Sequence, residues 1–111
     1  MKKSLALKKN EETAIRTLKE VLSERFNVID LRVFGSKARG EDTPESDIDV
    51  FIELDDTDPD IESQIGDIVF RINLKYDTFI TTTIFRRKEI EEGPMSESPI
   101  YKTILKEGVY I

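Results

Sequence analysis

The chain contains no cysteine and no histidine. Without cysteine there is no disulfide framework, no thiol nucleophile and no zinc–thiolate centre. Without histidine, the commonest general base and the commonest ligand for softer metals are both missing. Any catalysis therefore falls to carboxylates, hydroxyls, Lys or Arg side chains, or a hard cation held by oxygen ligands. Long apolar runs are missing too. The N-terminal MKKSLALKKN holds a run of only three apolar residues, whereas a secretory signal needs about 7–15. Nothing approaches the roughly 18 apolar residues of a membrane span. These absences lead to the expectation of a cytoplasmic protein without a membrane partner. Positive charge is also in deficit, with 17 basic against 23 acidic residues and a net charge of −6. A broad nucleic-acid surface needs a basic patch to neutralise phosphates, so nucleic acid is not an expected partner. A small basic cluster around a nucleotide, or a protein partner with a basic face, suits the balance.

A length of 111 residues fits a single domain over 1–111 with one modest core. The spacing predicts a helix over residues 10–25, with Asn10 as N-cap and Glu11 and Glu12 in the first turn. Ala14, Ile15, Leu18, Val21 and Leu22 form its apolar stripe. Val28–Phe34 reads as a strand, rich in β-branched and large apolar residues. A turn-like stretch, Gly40 to Ser46, leads to a second strand, Ile48 to Leu54. Asp58 and Pro59 mark the start of a helix that buries Ile61, Ile65, Ile68, Val69 and Ile72. Residues 77–85 have strand propensity. A charged helical segment over 86–92 stops at Gly93-Pro94, and a last helix runs over about 98–107, ending at Gly108. The predicted fold is a mixed α/β (α+β) domain: a small mixed β-sheet flanked by helices.

The chemistry concentrates in Phe34-Gly35-Ser36-Lys37-Ala38-Arg39-Gly40 and in Ser46-Asp47-Ile48-Asp49-Val50. On a strand, Asp47 and Asp49 fall on one face while Ile48 and Val50 point the other way. Two neighbouring carboxylates repel unless a cation lies between them, and Mg²⁺ is the natural hard ion for such a pair. Gly35 ends a strand and lets the backbone approach a bulky anion. Ser36 offers a hydroxyl and an N–H to a phosphate, and Lys37 and Arg39 are cations that suit a triphosphate tail. Gly-Ser after a strand and Asp-x-Asp are each common alone; their combination on two strands points to a phosphate cradle beside a metal clamp. Chemistry at two metals calls for a third carboxylate, for which Asp77 is the best candidate, as second-metal ligand and acceptor of the hydroxyl proton. The acidic run Asp55, Asp56, Asp58 and Asp60 lacks the glycine and terminal glutamate of a Ca²⁺ loop and reads as a turn and helix cap. Lys8, Lys9, Arg86, Arg87 and Lys88 read as solvated charges, the last three with an alternative role facing a partner.

Gly35-Ser36, ten residues, then Asp47-x-Asp49 resembles the signature of the DNA polymerase β-like nucleotidyltransferase superfamily. GSKARG and SDIDV resemble the minimal nucleotidyltransferase (MNT) proteins, and Ile104-Leu105-Lys106-Glu107-Gly108-Val109 is similar to that group's ending. The resemblance implies the polymerase β-like fold, and many such proteins are MntA-type antitoxins of HEPN/MNT toxin–antitoxin pairs, which transfer AMP from ATP to a tyrosine hydroxyl of the toxin. It implies Mg²⁺ on Asp47 and Asp49, Asp77 as the third acid, Ser36 at the phosphates and Arg39 as an accessory phosphate contact. The aliphatic run that often surrounds the third carboxylate is missing around Tyr76-Asp77-Thr78-Phe79.

Three functions are open at this point: a protein adenylyltransferase acting on a cognate toxin in a hetero-oligomer, a nucleotide-binding antitoxin that neutralises by contact alone, and a small-molecule nucleotidyltransferase similar to aminoglycoside-modifying enzymes. The last usually carries extra helices for its acceptor pocket, and none is visible in this sequence.

Overall fold

The computed structural model describes residues 7–40 and 47–111. Helix α1 (Lys9–Arg25) buries Ala14, Ile15, Leu18 and Leu22, the stripe read from the sequence, with Val21 half-buried beside them. Its start differs from expectation. Asn10 lies inside the helix, and its Nδ2 donates to the backbone carbonyls of Tyr76 (2.8 Å) and Asp77 (3.3 Å). It thus satisfies orphan carbonyls at the far end of another helix. The amide of Lys8 donates instead to the Glu11 carboxylate at 2.8 Å.

Strand β1 (Val28–Phe34) runs into a four-residue helix, α2 (Ser36–Arg39). Of the turn-like stretch that follows, residues 41–46 lie outside the described residues. Strand β2 (Ile48–Leu54) and helix α3 (Pro59–Tyr76) come next. Asp58 caps α3 as expected, its Oδ1 accepting the Ile61 N–H at 2.9 Å, with Pro59 in the first turn. Beyond α3 come strand β3 (Ile80–Arg86), helix α4 (Arg87–Glu91), a 3₁₀ turn (Pro94–Glu97), helix α5 (Pro99–Glu107) and a short strand β4 (Val109–Tyr110). The sequence did not announce β4, which at two residues is too short to carry a period.

The third strand begins three residues later than the sequence reading, because α3 runs on through Tyr76. Asp77 ends the helix in the left-handed region at φ 55°, a conformation that Asp tolerates better than most residues. The turn is locked by Asn73. Its side-chain oxygen accepts the Ile80 N–H (2.9 Å) and the Thr78 hydroxyl (2.9 Å), and its Nδ2 donates to the Ile80 carbonyl (3.1 Å). One amide side chain thus pairs with both polar groups of the first residue of β3.

The sheet order is β3-β2-β1-β4. β1 is antiparallel to β2 and β4, and β2 is parallel to β3, so the sheet is mixed, as expected. One face carries Leu31, Val33, Ile48, Val50, Ile52, Leu54 and Ile80 against α1 and α3, where Ile65, Ile68, Val69 and Ile72 are buried. The other face carries a smaller cluster, Phe51, Phe85 and Ile104, with Phe34 and Tyr101 half-buried around it. Phe51 and Phe85 meet edge to face at 5.7 Å, a favourable ring geometry. Among the described residues no helix is long and apolar enough to cross a membrane.

Leu18 is fully buried between helix and sheet. Leu18→Ala is expected to lower the unfolding free energy by about 2–5 kcal/mol through lost burial and the cavity left behind, measurable by urea denaturation.

Candidate active site

Strand alternation puts Asp49, Phe51 and Glu53 on the face opposite the α1/α3 core, and Asp47 falls on the same side just ahead of β2. The register sets the neighbours of Asp49: Phe34 of β1 on one flank and Thr81 of β3 on the other. The Thr81 hydroxyl donates to Asp49 Oδ1 at 2.9 Å. Asp47 is exposed and Asp49 half-buried.

Gly35 follows Phe34 and bends the chain over this carboxylate. Its φ of 76° and ψ of −153° are open essentially to glycine alone. A Cβ at this position would collide with Asp49 Oδ2, so the absence of a side chain lets backbone and carboxylate meet. Ser36 opens α2 directly afterwards. The structure therefore brings Gly35 and Ser36 up to Asp49, with Asp47 two residues ahead of it in the chain, and the oxygen donors of the two acids suit a hard divalent cation.

Three other residues of the predicted site are engaged with other parts of the fold. Lys37, expected at a triphosphate, is fully buried, with its Nζ 3.2 Å from Glu11 Oε1 of α1. Burial of a charge demands a partner, and Glu11, itself buried, is one. Arg39 points its Nη1 at the Glu107 carboxylate of α5, 2.9 and 3.1 Å from its two oxygens. Asp77 sits in the α3 cap, four positions before the residue in register with Asp49. Among the described residues no three acids gather closely enough to hold a metal, so Asp77 does not join Asp47 and Asp49.

Two residues that matter here were not singled out from the sequence. Thr81 was read only as part of a threonine-rich strand, and its pairing with Asp49 depends on register. Asn73, which sets that register, lies in a helix whose period says nothing about its amide. At the far end of the same face, burial and then Asp30 hold the Glu53 carboxyl above its ordinary range, with Arg87 acting in the opposite sense.

The nucleotidyltransferase domain model matches residues 15–111; the chain belongs to this family of enzymes. Protein adenylyltransferase MntA of Thermococcus cleftensis is 29% identical over 100 residues, 90% of this chain and 91% of that one. A Methanocaldococcus jannaschii protein provisionally named as a protein adenylyltransferase is 33% identical over 85 residues, 70% of this chain and 85% of that one. Among solved structures, one provisionally described as a minimal nucleotidyltransferase superposes with a TM-score of 0.62 at 15% identity, covering 90% of this chain and 91% of that one. A toxin–antitoxin crystal structure with AMP-PNP superposes at 0.59 and 18% identity, covering 89% of this chain and 70% of that one. These two likenesses establish the minimal nucleotidyltransferase fold.

Lys37→Ala is expected to cost roughly 3–5 kcal/mol of stability, because it strips a buried carboxylate of a charged partner; thermal and urea unfolding check this. Gly35→Ala is expected to lose about 1–3 kcal/mol from the strained backbone and to weaken nucleotide binding by displacing Asp49. Unfolding and calorimetric titration with ATP measure the two effects.

Proposed function

We propose that this chain transfers AMP from ATP to a hydroxyl, a tyrosine hydroxyl in our reading, of a HEPN-type toxin protein with which it forms a hetero-oligomer, and that the transfer silences the toxin. The observation that carries the reading is the Gly35-Ser36 turn closed over Asp49, with Asp47 on the same face. A nucleotide's triphosphate and a cation held by the two carboxylates fit this arrangement. Ser36 and the Gly35 backbone would approach the phosphates. Asp47 and Asp49 would hold Mg²⁺, which when bound offsets phosphate charge. In the transfer, the acceptor oxygen bonds to the α-phosphorus while the bond from that phosphorus to the bridging oxygen breaks. Pyrophosphate leaves, and the hydroxyl proton passes to solvent. Arg39, half-exposed in its ion pair with Glu107, is an accessory cation within the same loop.

The names of the Thermococcus relative, a protein adenylyltransferase, and of the toxin–antitoxin structure with AMP-PNP support a protein acceptor. So does the surface. Phe70, Leu74 and Phe79 are each more than 60% exposed and share a groove with Asn73, Asp77 and Thr78. Contiguous exposed apolar side chains mark interaction surfaces. The net charge of −6 suits a protein with a basic face better than a nucleic-acid end. A second reading, neutralisation by contact with a bound nucleotide but no transfer, is favoured by the lack, among the described residues, of three acids gathered closely enough to hold a metal.

Asp49→Asn is expected to reduce transfer of label from α-³²P-ATP to the partner roughly 100-fold or more, the scale of losing one electrostatic contact at a reacting phosphate, while the fold persists by circular dichroism. Equal labelling by wild type and variant contradicts the catalytic reading. Full protection of the partner by an Asp47→Asn/Asp49→Asn double variant, without labelling, selects the contact reading.

A further inference from the structure

The acidic face of β2 has two chemically different flanks. On the β1 side stand Phe34 and then the Gly35-Ser36 turn, closed over Asp49. On the β3 side stands Thr81, and two residues ahead of it, about 7 Å back along the strand, is Phe79. The Phe79 carbonyl accepts the Ile48 N–H at 2.8 Å, so this residue lies beside the Asp47–Ile48 step of β2. Its side chain is exposed and lines a groove with Phe70 and Leu74 of α3, which are exposed as well. Displacement at phosphorus is in line, the incoming oxygen entering opposite the oxygen that leaves. With pyrophosphate leaving on the Gly35-Ser36 side, the acceptor oxygen enters from the β3 side, where the groove lies. We infer that this groove, at the head of β3, is the acceptor subsite, and that it seats the ring of a tyrosine whose hydroxyl reaches toward Asp47 and Asp49. This rests on the reading of the turn and the two acids as a nucleotidyl-transfer site.

Size and lining select the occupant. A groove of about 220 Å³ falls below the roughly 300–1,000 Å³ of sites that enclose a whole small molecule, so it takes one side chain rather than a nucleoside. Phe70, Leu74 and Phe79 offer two rings and a branched alkyl group, against which a further ring packs edge to face or offset. Serine and threonine carry their hydroxyl on the first carbon beyond the backbone, whereas tyrosine carries it on the far side of a ring. A hydroxyl that works about 7 Å along the strand from its apolar anchor therefore belongs to tyrosine. The two α3 residues do not serve the core, since the stripe that α3 buries is Ile65, Ile68, Val69 and Ile72. Large apolar side chains held together in water mark a binding surface, and this one continues into the acidic face.

The test reads binding residue by residue. Isotope-labelled protein is loaded with Mg²⁺ and α,β-methylene-ATP, whose α–β linkage is not cleaved, and amide shifts are followed by NMR as N-acetyl-tyrosinamide or N-acetyl-serinamide is added. The tyrosine probe is expected to move the amides of Phe70, Leu74 and Phe79 saturably, and the serine probe to leave them in place. Phe79→Ser is expected to weaken the tyrosine probe about tenfold, the scale of one lost ring-on-ring contact, with thermal melting unchanged. Phe70→Ser, on the other wall, supplies the same comparison if Phe79→Ser does not fold. Shifts from the tyrosine probe elsewhere on the surface, no shifts, or equal shifts from both probes overturn the inference. So does movement of these amides when the protein is concentrated without a probe, which puts a second copy in the groove. In each of these cases label transfer to the partner that still depends on Asp49 leaves the proposed function standing. Absence of shifts at Gly35 and Ser36 on adding the nucleotide removes the transfer site itself and both readings with it.

Discussion

A carboxylate pressed against a stretch of backbone that has no side chain is the contact on which the acidic face depends. Asp49 is carried by the one strand that is paired parallel on one side and antiparallel on the other, so its position is set from both flanks. Gly35 can sit over it only because a glycine reaches φ 76° and brings no Cβ into the space of the carboxylate. The same turn delivers Ser36 at the start of α2. Behind the strand, Ile48 and Val50 are fully buried against the two long helices, which resist tilting of β2. The acidic face is thus a by-product of alternation: what makes β2 a good core strand on one side holds two acids ready on the other.

Much of this was legible because it follows periods and local chemistry. The stripe in α1, the bounds of β1 and β2, the Asp58 cap and the placing of Gly-Ser and Asp-x-Asp at the ends of neighbouring strands all depend on residues close in sequence. What escaped depends on distant pairs. Lys37 reads as a solvated cation in a phosphate loop until α1 folds back and presents Glu11, 26 positions away. Asn10 reads as a cap, and it is one, but for carbonyls 66 and 67 residues further on. Asp77 was taken for the head of a strand because threonines and aromatics follow it. The helix instead outlasts its apolar stripe by a full turn and spends Asp77 on the left-handed cap. Moving the start of β3 from residue 77 to residue 80 moves an acid out of the site and a threonine into it.

The two asparagines show how a few side-chain amides do the work of backbone. Asn73 supplies a donor and an acceptor to Ile80, as a strand neighbour would, and Asn10 closes the helix that precedes it. Both act on the same end of α3. For the half-buried Asn73, an amide left without its partners costs about as much as a lost hydrogen bond or more. The junction is therefore specified on both sides, although it contains no glycine.

The pair between Lys37 and Glu11 carries a further meaning for motion. A helix of four residues has no stability of its own, since nucleation outweighs what so few hydrogen bonds return. α2, and with it the turn at Gly35 and Ser36, is held in place by what it meets: Glu11 of α1 through Lys37, Glu107 of α5 through Arg39, and Asp49 of β2 at Gly35. A sub-global opening that releases α1 would withdraw Glu11 from Lys37 and leave a buried ammonium beside the Gly35-Ser36 turn without that partner. Anything that binds and holds that turn would, by mass action, also favour the docked position of α1.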